Sequence, residues 1–243
     1  MEKFLGNGSA FFTSAGNTSL FYQDGDTIYL VDCGYKAYER IKEEMEEIFQ
    51  KAKRIILFVT HRHEDHFCSS FFFYVKYVLK KTVQIVSPDE KIPELLTLAG
   101  VMPSNYTFVK TTYFTDQALS VSFLESQHVD TMPSWSLLLF LRRENSLLFY
   151  SGDCHTFSFP DIEFAARIYY GRKIDKWYVE NSYYQTPSHL YFKNFDQMLT
   201  EYCEQKKRNK KEFQKKIWIM HLDDSRLIDE VKALNYQIVE TDI

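Results

Sequence analysis

The apolar run 54–59, Arg-Ile-Ile-Leu-Phe-Val, stops directly on Thr60-His61-Arg62-His63-Glu64-Asp65-His66. A short run of large and β-branched side chains reads as a strand buried on both faces, the kind that needs helices covering a parallel sheet. Side chains two apart on an extended segment share a face, so His61 and His63 point the same way. A helix starting near Asp65 turns the side chains of Asp65 and His66 back toward the same point. Neutral imidazole and carboxylate are the ligands that divalent zinc, iron and manganese accept.

The pattern recurs. The run 119–125 leads into His128, the run 146–151 into Gly152-Asp153, and the run 217–220 into His221. Any one of these, alone, is a hydrogen-bonded histidine or a turn aspartate. All of them ending an apolar strand in a ligand-type residue points to one shared site.

The chain has 243 residues and no Pro/Gly/Ser-rich linker, so residues 1–243 read as a single domain. Extended runs at 3–13, 18–23 and 27–32 form a meander punctuated by Gly, Asn and Asp. Helical patterns at 37–50, 67–81 and 91–99 then alternate with strands at 54–59, 83–86 and 106–111. Strands at 119–125, 135–141 and 146–151 follow, with a turn at 143–145. Helices at 162–170, 189–207 and 225–234 alternate with strands at 176–180, 217–220 and 236–240. Strands first, then alternation, twice over, predicts an α/β (α+β) chain with two mixed sheets and helices outside.

Net charge is −4, which argues against a non-specific nucleic-acid coat and leaves a phosphate-bearing small substrate open. The basic run 206–216 reads as a solvated helix end and loop, or as a polyanion contact. The four cysteines, Cys33, Cys68, Cys154 and Cys203, form no CxxC pair and read as reduced packing residues. No apolar run approaches the roughly 20 residues of a membrane span, and residues 1–10 carry no secretory pattern. The expectation is a cytoplasmic protein with no membrane partner.

These motifs resemble the metallo-β-lactamase superfamily of hydrolases. The family carries HxHxDH after a strand, then a distant His, an Asp after Gly and a final His, matched here by 61–66, His128, Gly152-Asp153 and His221. The opening LGNGSAFF…GNTSLFY…IYLVDCG is similar to the family's first meander. The resemblance implies an αβ/βα four-layer sandwich with two metal ions, zinc first, with manganese or iron as alternatives. It implies that His61, His63 and His128 hold one ion, that Asp65, His66 and His221 hold the other, and that Asp153 bridges them. Asp65 would also orient a hydroxide that the two ions generate near neutral pH. Asp32 matches a structural strand-end group of the family.

The segment Glu180-Asn181-Ser182-Tyr183…Ser188-His189-Leu190 looks like a stretch of ribonuclease Z and related cyclic-nucleotide phosphodiesterases. By that resemblance His189 acts on the leaving side of a scissile phosphate, buttressed by Glu180. The competing reading makes His189 the cap of the helix beginning there. His155 reads as a residue orienting a ligand or as a surface turn. The rings of Trp135, Phe157, Tyr183, Tyr184 and Tyr191 suit a stacked base or an apolar pocket. The expected activity is phosphodiester hydrolysis on a nucleotide or small nucleic acid. Hydrolysis of a thioester, lactone or other ester is the alternative, and a non-catalytic binding or regulatory protein is a third. Oligomeric state is left open by the sequence.

Overall fold

The computed structural model describes residues 2–241. The backbone gathers into two compact units, residues 2–112 with 240–241, and Tyr113–Val239. Each unit is a mixed sheet that starts as an antiparallel meander and continues as parallel strands joined through helices.

In the first unit β1 (Lys3–Gly6), β2 (Ser19–Asp24) and β3 (Thr27–Val31) form the meander. β4 (Arg54–Phe58), β5 (Val83–Ser87) and β6 (Tyr106–Lys110) extend it in parallel from β3, in spatial order β1 to β6. Helices α1 (Tyr35–Glu44) and α2 (Glu46–Lys51) connect β3 to β4, α3 (Ser69–Tyr77) connects β4 to β5, and α4 (Ile92–Leu98) connects β5 to β6. Parallel register lines up Leu30, Leu57, Ile85 and Phe108 in one row and Ile28, Ile55, Val83 and Tyr106 in another. Alternate residues share a face, so both rows pack into one core with Ile41, Phe49, Phe71, Phe72 and Leu96 from the helices.

In the second unit β7 (Tyr113–Thr115), β8 (Leu119–Val129), β9 (Met132–Leu141) and β10 (Ser146–Tyr150) are antiparallel. β11 (Lys176–Glu180), β12 (Ile217–Met220) and β13 (Gln237–Ile238) continue in parallel from β10. Helix α5 (Phe159–Tyr170) joins β10 to β11, α6 (Phe192–Gln205) and α7 (Lys210–Gln214) join β11 to β12, and α8 (Ser225–Ala233) joins β12 to β13. Trp177, Phe149, Phe159, Phe195, Tyr202 and Phe213 form its aromatic core; Phe159 stacks on Tyr202 with centroids 4.9 Å apart. Phe157, partly buried, packs against Phe149 and Phe159 of this core.

Several expected boundaries move, each for a backbone reason. The first strand stops at Gly6, where a Cβ would run into the backbone of Gly16 and Asn17. The helix expected over 37–50 breaks at Met45, which leaves the helical region at ψ 7°, and Met45 and Phe49 are both buried. The helix expected from residue 67 begins at Ser69, because the backbone of Phe67 is taken by a bridge to Cys33. The helix expected from residue 189 begins at Phe192, because Leu190 and Phe192 exchange backbone hydrogen bonds with Ser182. Strand β7 is too short to show in the sequence pattern, and the run 206–216 contains α7 where a loop was expected.

Candidate metal centre

Asp32, and the expected metal ligands beyond the motif 61–66, sit at strand ends or strand irregularities. Asp32 follows β3 and His221 follows β12, both with left-handed backbones, φ 59° and 58°. Few non-glycine residues adopt this conformation, with Asp and His among the more tolerant, and it turns the chain sharply off the end of a strand. Asp153 follows β10 through Gly152, at φ 59°. His128 lies on β8 itself, inside the irregularity between Ser126 and Val129 that shifts the register.

In the first unit no helix starts at Asp65, contrary to the expectation. A single turn replaces it, closed by the N–H groups of His66 and Phe67 on the His63 carbonyl at 3.0 and 2.8 Å. The turn is held to the end of β3: the Cys33 N–H reaches the His66 carbonyl at 2.7 Å, and Gly34 lies against the backbone of Asp65. His61 Nε2 stands 3.0 Å from His63 Nδ1, the His61 and His66 rings have centroids 4.2 Å apart, and Asp65 Oδ2 is 3.6 Å from His66 Nε2. His61, Asp65 and His66 are buried.

Asp32 sets the tautomers of two of these rings. Its Oδ2 accepts from Thr60 Oγ1 at 2.8 Å and from His66 Nδ1 at 2.9 Å, and its Oδ1 accepts from the Thr60 N–H at 2.8 Å. Thr60 Oγ1 spends its single proton on the carboxylate, so it can only accept from His61 Nδ1, 3.1 Å away. Both histidines then carry the proton on Nδ1 and present Nε2 as the basic nitrogen. A carboxylate behind a histidine is the usual support of a metal-ligating imidazole.

In the second unit His128 Nδ1 donates to the Ser188 carbonyl at 2.7 Å, which likewise makes Nε2 its basic nitrogen. Asp153 Oδ2 is 3.8 Å from His128 Nε2, and its Oδ1 is 3.3 Å from His221 Nε2. Glu180, wholly buried at the end of β11, accepts from the Cys154 N–H at 2.5 Å through Oε1 and from His189 Nδ1 at 2.9 Å through Oε2. His221 Nδ1 lies 3.4 Å from the same Oε2. Asp153, Glu180, His189 and His221 each offer one ligand atom, all within 4.8 Å of one another.

His189 therefore does not cap α6; the cap position is Tyr191, which makes no side-chain cap. Burial works against the charged forms of both His189 and Glu180. Their mutual attraction and hydrogen bond outweigh it, so His189 is held above the ordinary histidine range and Glu180 below the ordinary carboxylate range. Burial pushes the Cys154 and Cys33 thiols well up, and all four cysteines are free and buried, which fits the packing role expected of them. His155 is exposed and belongs to none of the groups whose ligand atoms converge; its Nδ1 donates to the Gln127 carbonyl at 3.2 Å, and it shares with His128 the wall of a cavity of about 390 Å³. In the sequence Asp32 reads as structural and Thr60 has no part; in the fold both sit behind the His61 and His66 rings and set which nitrogen carries the proton. The sequence signal was present, since Asp32 stands at the end of an apolar run as Asp153 and His221 do.

The donor set is imidazole and carboxylate, with Nδ1 of His61, His66 and His128 each occupied by an oxygen partner. It suits zinc, manganese or iron and lacks the thiolates of a purely structural zinc site. No helix among the described residues is long and apolar enough to cross a membrane.

Solved structures share this architecture. YhfI from Bacillus subtilis, a metallo-β-lactamase fold protein, aligns at TM-score 0.71 and 15% identity over 100% of this chain and 97% of its own. Human tRNase Z, short form, aligns at 0.66 and 15% over 100% and 98%, and a diphosphatase of the PhnP family at 0.71 and 14% over 100% and 95%. At these identities the likeness establishes the metallo-β-lactamase fold. No curated protein matches the sequence. The family model described as Anti-Pycsar protein Apyc1 matches residues 3–242, and the chain belongs to that family.

Proposed function

We propose that the chain is a metal-dependent phosphodiesterase acting on a nucleotide, with a cyclic nucleotide as the substrate class toward which the Anti-Pycsar family points. The observation that carries the reading is the buried Glu180 holding His189 Nδ1 at 2.9 Å beside Asp153 and His221. A carboxylate-oriented imidazole next to a ligand cluster is the arrangement that donates a proton to a leaving oxygen.

Following the family pattern, His61, His63 and His128 would hold one divalent ion, Asp65, His66 and His221 a second, and Asp153 both. When bound, the ions supply an activated hydroxide and draw charge from the phosphoryl oxygens. The protein's own groups do the rest. Asp32 and Thr60 keep His61 and His66 in the tautomer that offers Nε2, and Ser188 does so for His128. Asp65 orients the nucleophile, and His189, aligned by Glu180, protonates the departing sugar oxygen. The tRNase Z and the PhnP-family diphosphatase that share the fold support the phosphoryl side of this reading.

The test compares bis-p-nitrophenyl phosphate with p-nitrophenyl acetate and a thioester, each with Zn²⁺, with Mn²⁺ and with EDTA. The expected result is metal-dependent turnover of the phosphodiester. Turnover of the carboxylic substrates alone would move the assignment to an esterase. A protein that takes up no metal and turns over none of the three would be a binding or regulatory member of the fold.

A further inference from the structure

The stretch following β11 carries Ser182, Tyr183 and Tyr184, and the stretch following β12 carries Asp223, Asp224 and Arg226. The two are laced together. Asp223 accepts from the Tyr183 N–H at 2.8 Å and from Ser182 Oγ. The Tyr184 hydroxyl donates to Asp224 Oδ2 at 2.7 Å and accepts from Arg226 Nη2 at 2.6 Å. The Arg226 guanidinium lies 4.4 Å from the centroid of the Tyr183 ring, and Tyr183 meets Tyr184 edge-on, with centroids 5.3 Å apart and planes at 88°. The hydrogen bonds from Arg226 hold the Asp224 carboxyl below the usual carboxylate range, so the clasp stays ionised at neutral pH.

For all this anchoring, Tyr184 remains 48% exposed. An exposed side chain ordinarily gains little from being fixed, because ordering costs conformational entropy. Here the hydroxyl is gripped by an acid and a base, and the ring is presented to solvent already ordered. That suits a surface on which a flat group stacks, since the ordering cost is met before binding. The two stretches begin next to Glu180 and His221, and the first ends at His189, whose N–H is held by Thr186 Oγ1 at 3.1 Å. The ring is thus carried on the same loops as the residues of the candidate site.

We propose that Tyr184 is the stacking platform for the planar base of the nucleotide substrate, and that Arg226 and Asp224 are positioning residues that hold its ring. The inference rests on the phosphodiesterase reading above. Every base offers a π-face, so such a platform adds affinity without requiring a particular base.

The test measures binding of two probes, uridine 5′-monophosphate and ribose 5-phosphate, to the full metal-loaded protein by calorimetry. They share sugar and phosphate and differ by the base. The wild type is expected to bind the nucleotide about tenfold more tightly, in line with the scale of base–aromatic stacking. Tyr184→Ala should erase that difference, whereas Tyr184→Phe, which keeps the ring and gives up the hydroxyl gripped by Asp224 and Arg226, should retain part of it. A clasp that only ties the two loops together predicts the opposite ordering, with Tyr184→Phe behaving as Tyr184→Ala because both lose the hydroxyl. That result, or equal affinity of the wild type for both probes, overturns the platform. Wild-type turnover of bis-p-nitrophenyl phosphate, measured in parallel, separates the two failures. Turnover without base discrimination rejects the platform alone; no turnover rejects the phosphodiesterase reading and the platform with it.

Discussion

His66 donates from Nδ1 to Oδ2 of Asp32 across 2.9 Å, with both side chains almost wholly out of solvent. The same oxygen takes the Thr60 hydroxyl proton, so one carboxylate fixes two imidazoles. Asp32→Asn keeps the shape, loses the negative charge and turns one of the two accepting oxygens into a donor. Metal affinity is expected to fall by about 10–100-fold, the usual cost of losing an outer partner of a ligating histidine. Titration with Zn²⁺ against a competing chelator measures it, and unchanged affinity would strip Asp32 of the role.

Gly34 packs directly on the backbone of Asp65. A methyl there meets the Asp65 carbonyl and Cα, which are main-chain atoms and cannot swing aside. Gly34→Ala should therefore displace the turn between His63 and His66 and destabilise the protein by about 2 kcal/mol or more, as overpacking does. Thermal melting of the metal-free protein reads the stability. Metal binding by whatever fraction stays folded reads the displacement. A variant that melts and binds like the wild type would contradict the contact.

His189→Ala is expected to lower kcat on phosphodiesters on the order of 10²-fold, the lower range for loss of a positioned acid, while bound metal per chain stays the same. The ligand atoms of Asp153, Glu180, His189 and His221 lie close enough to share an ion, so metal content is the deciding measurement. Loss of a metal equivalent would make His189 a ligand instead of an acid.

Away from the site, Glu163 on α5 takes a two-pronged contact from Arg208 at 2.6 and 3.1 Å, and Arg208 also reaches the Tyr202 hydroxyl at 2.6 Å. Burial favours the neutral acid, but the bonds from Arg208 and Tyr202 outweigh it and hold Glu163 below its ordinary value of 4.5. A carboxylate depressed on folding stabilises the fold above its unfolded value, and that contribution fades as pH falls through the folded one. Glu163→Gln should cost about 1 kcal/mol at pH 7, with the difference from wild type shrinking below about pH 4.5. Denaturant melts across that range test it; a constant difference would mean the charge is not involved.

Local patterning in the sequence already contained the two-fold plan of meander and alternation, because apolar run length and helical spacing are properties of neighbouring residues. The motif 61–66 and the ligand-type residues at 128, 153 and 221 were legible in the same way, each standing at or near the end of an apolar run. Long-range pairing was not legible, and it decided what mattered most for the chemistry. The bridge between Ser182 and Tyr191 pushed the start of α6 to Phe192 and left His189 to meet Glu180. The bridge between Cys33 and Phe67 shortened α3 and left a turn where a helix was expected. Asp32 looked like a strand terminator until the fold put Thr60 and His66, 28 and 34 residues further along, on its two oxygens. Residue types and their spacing are one-dimensional information. Which nitrogen carries a proton, and which ring stands rigid in solvent, depend on partners brought together only by the folded sheet.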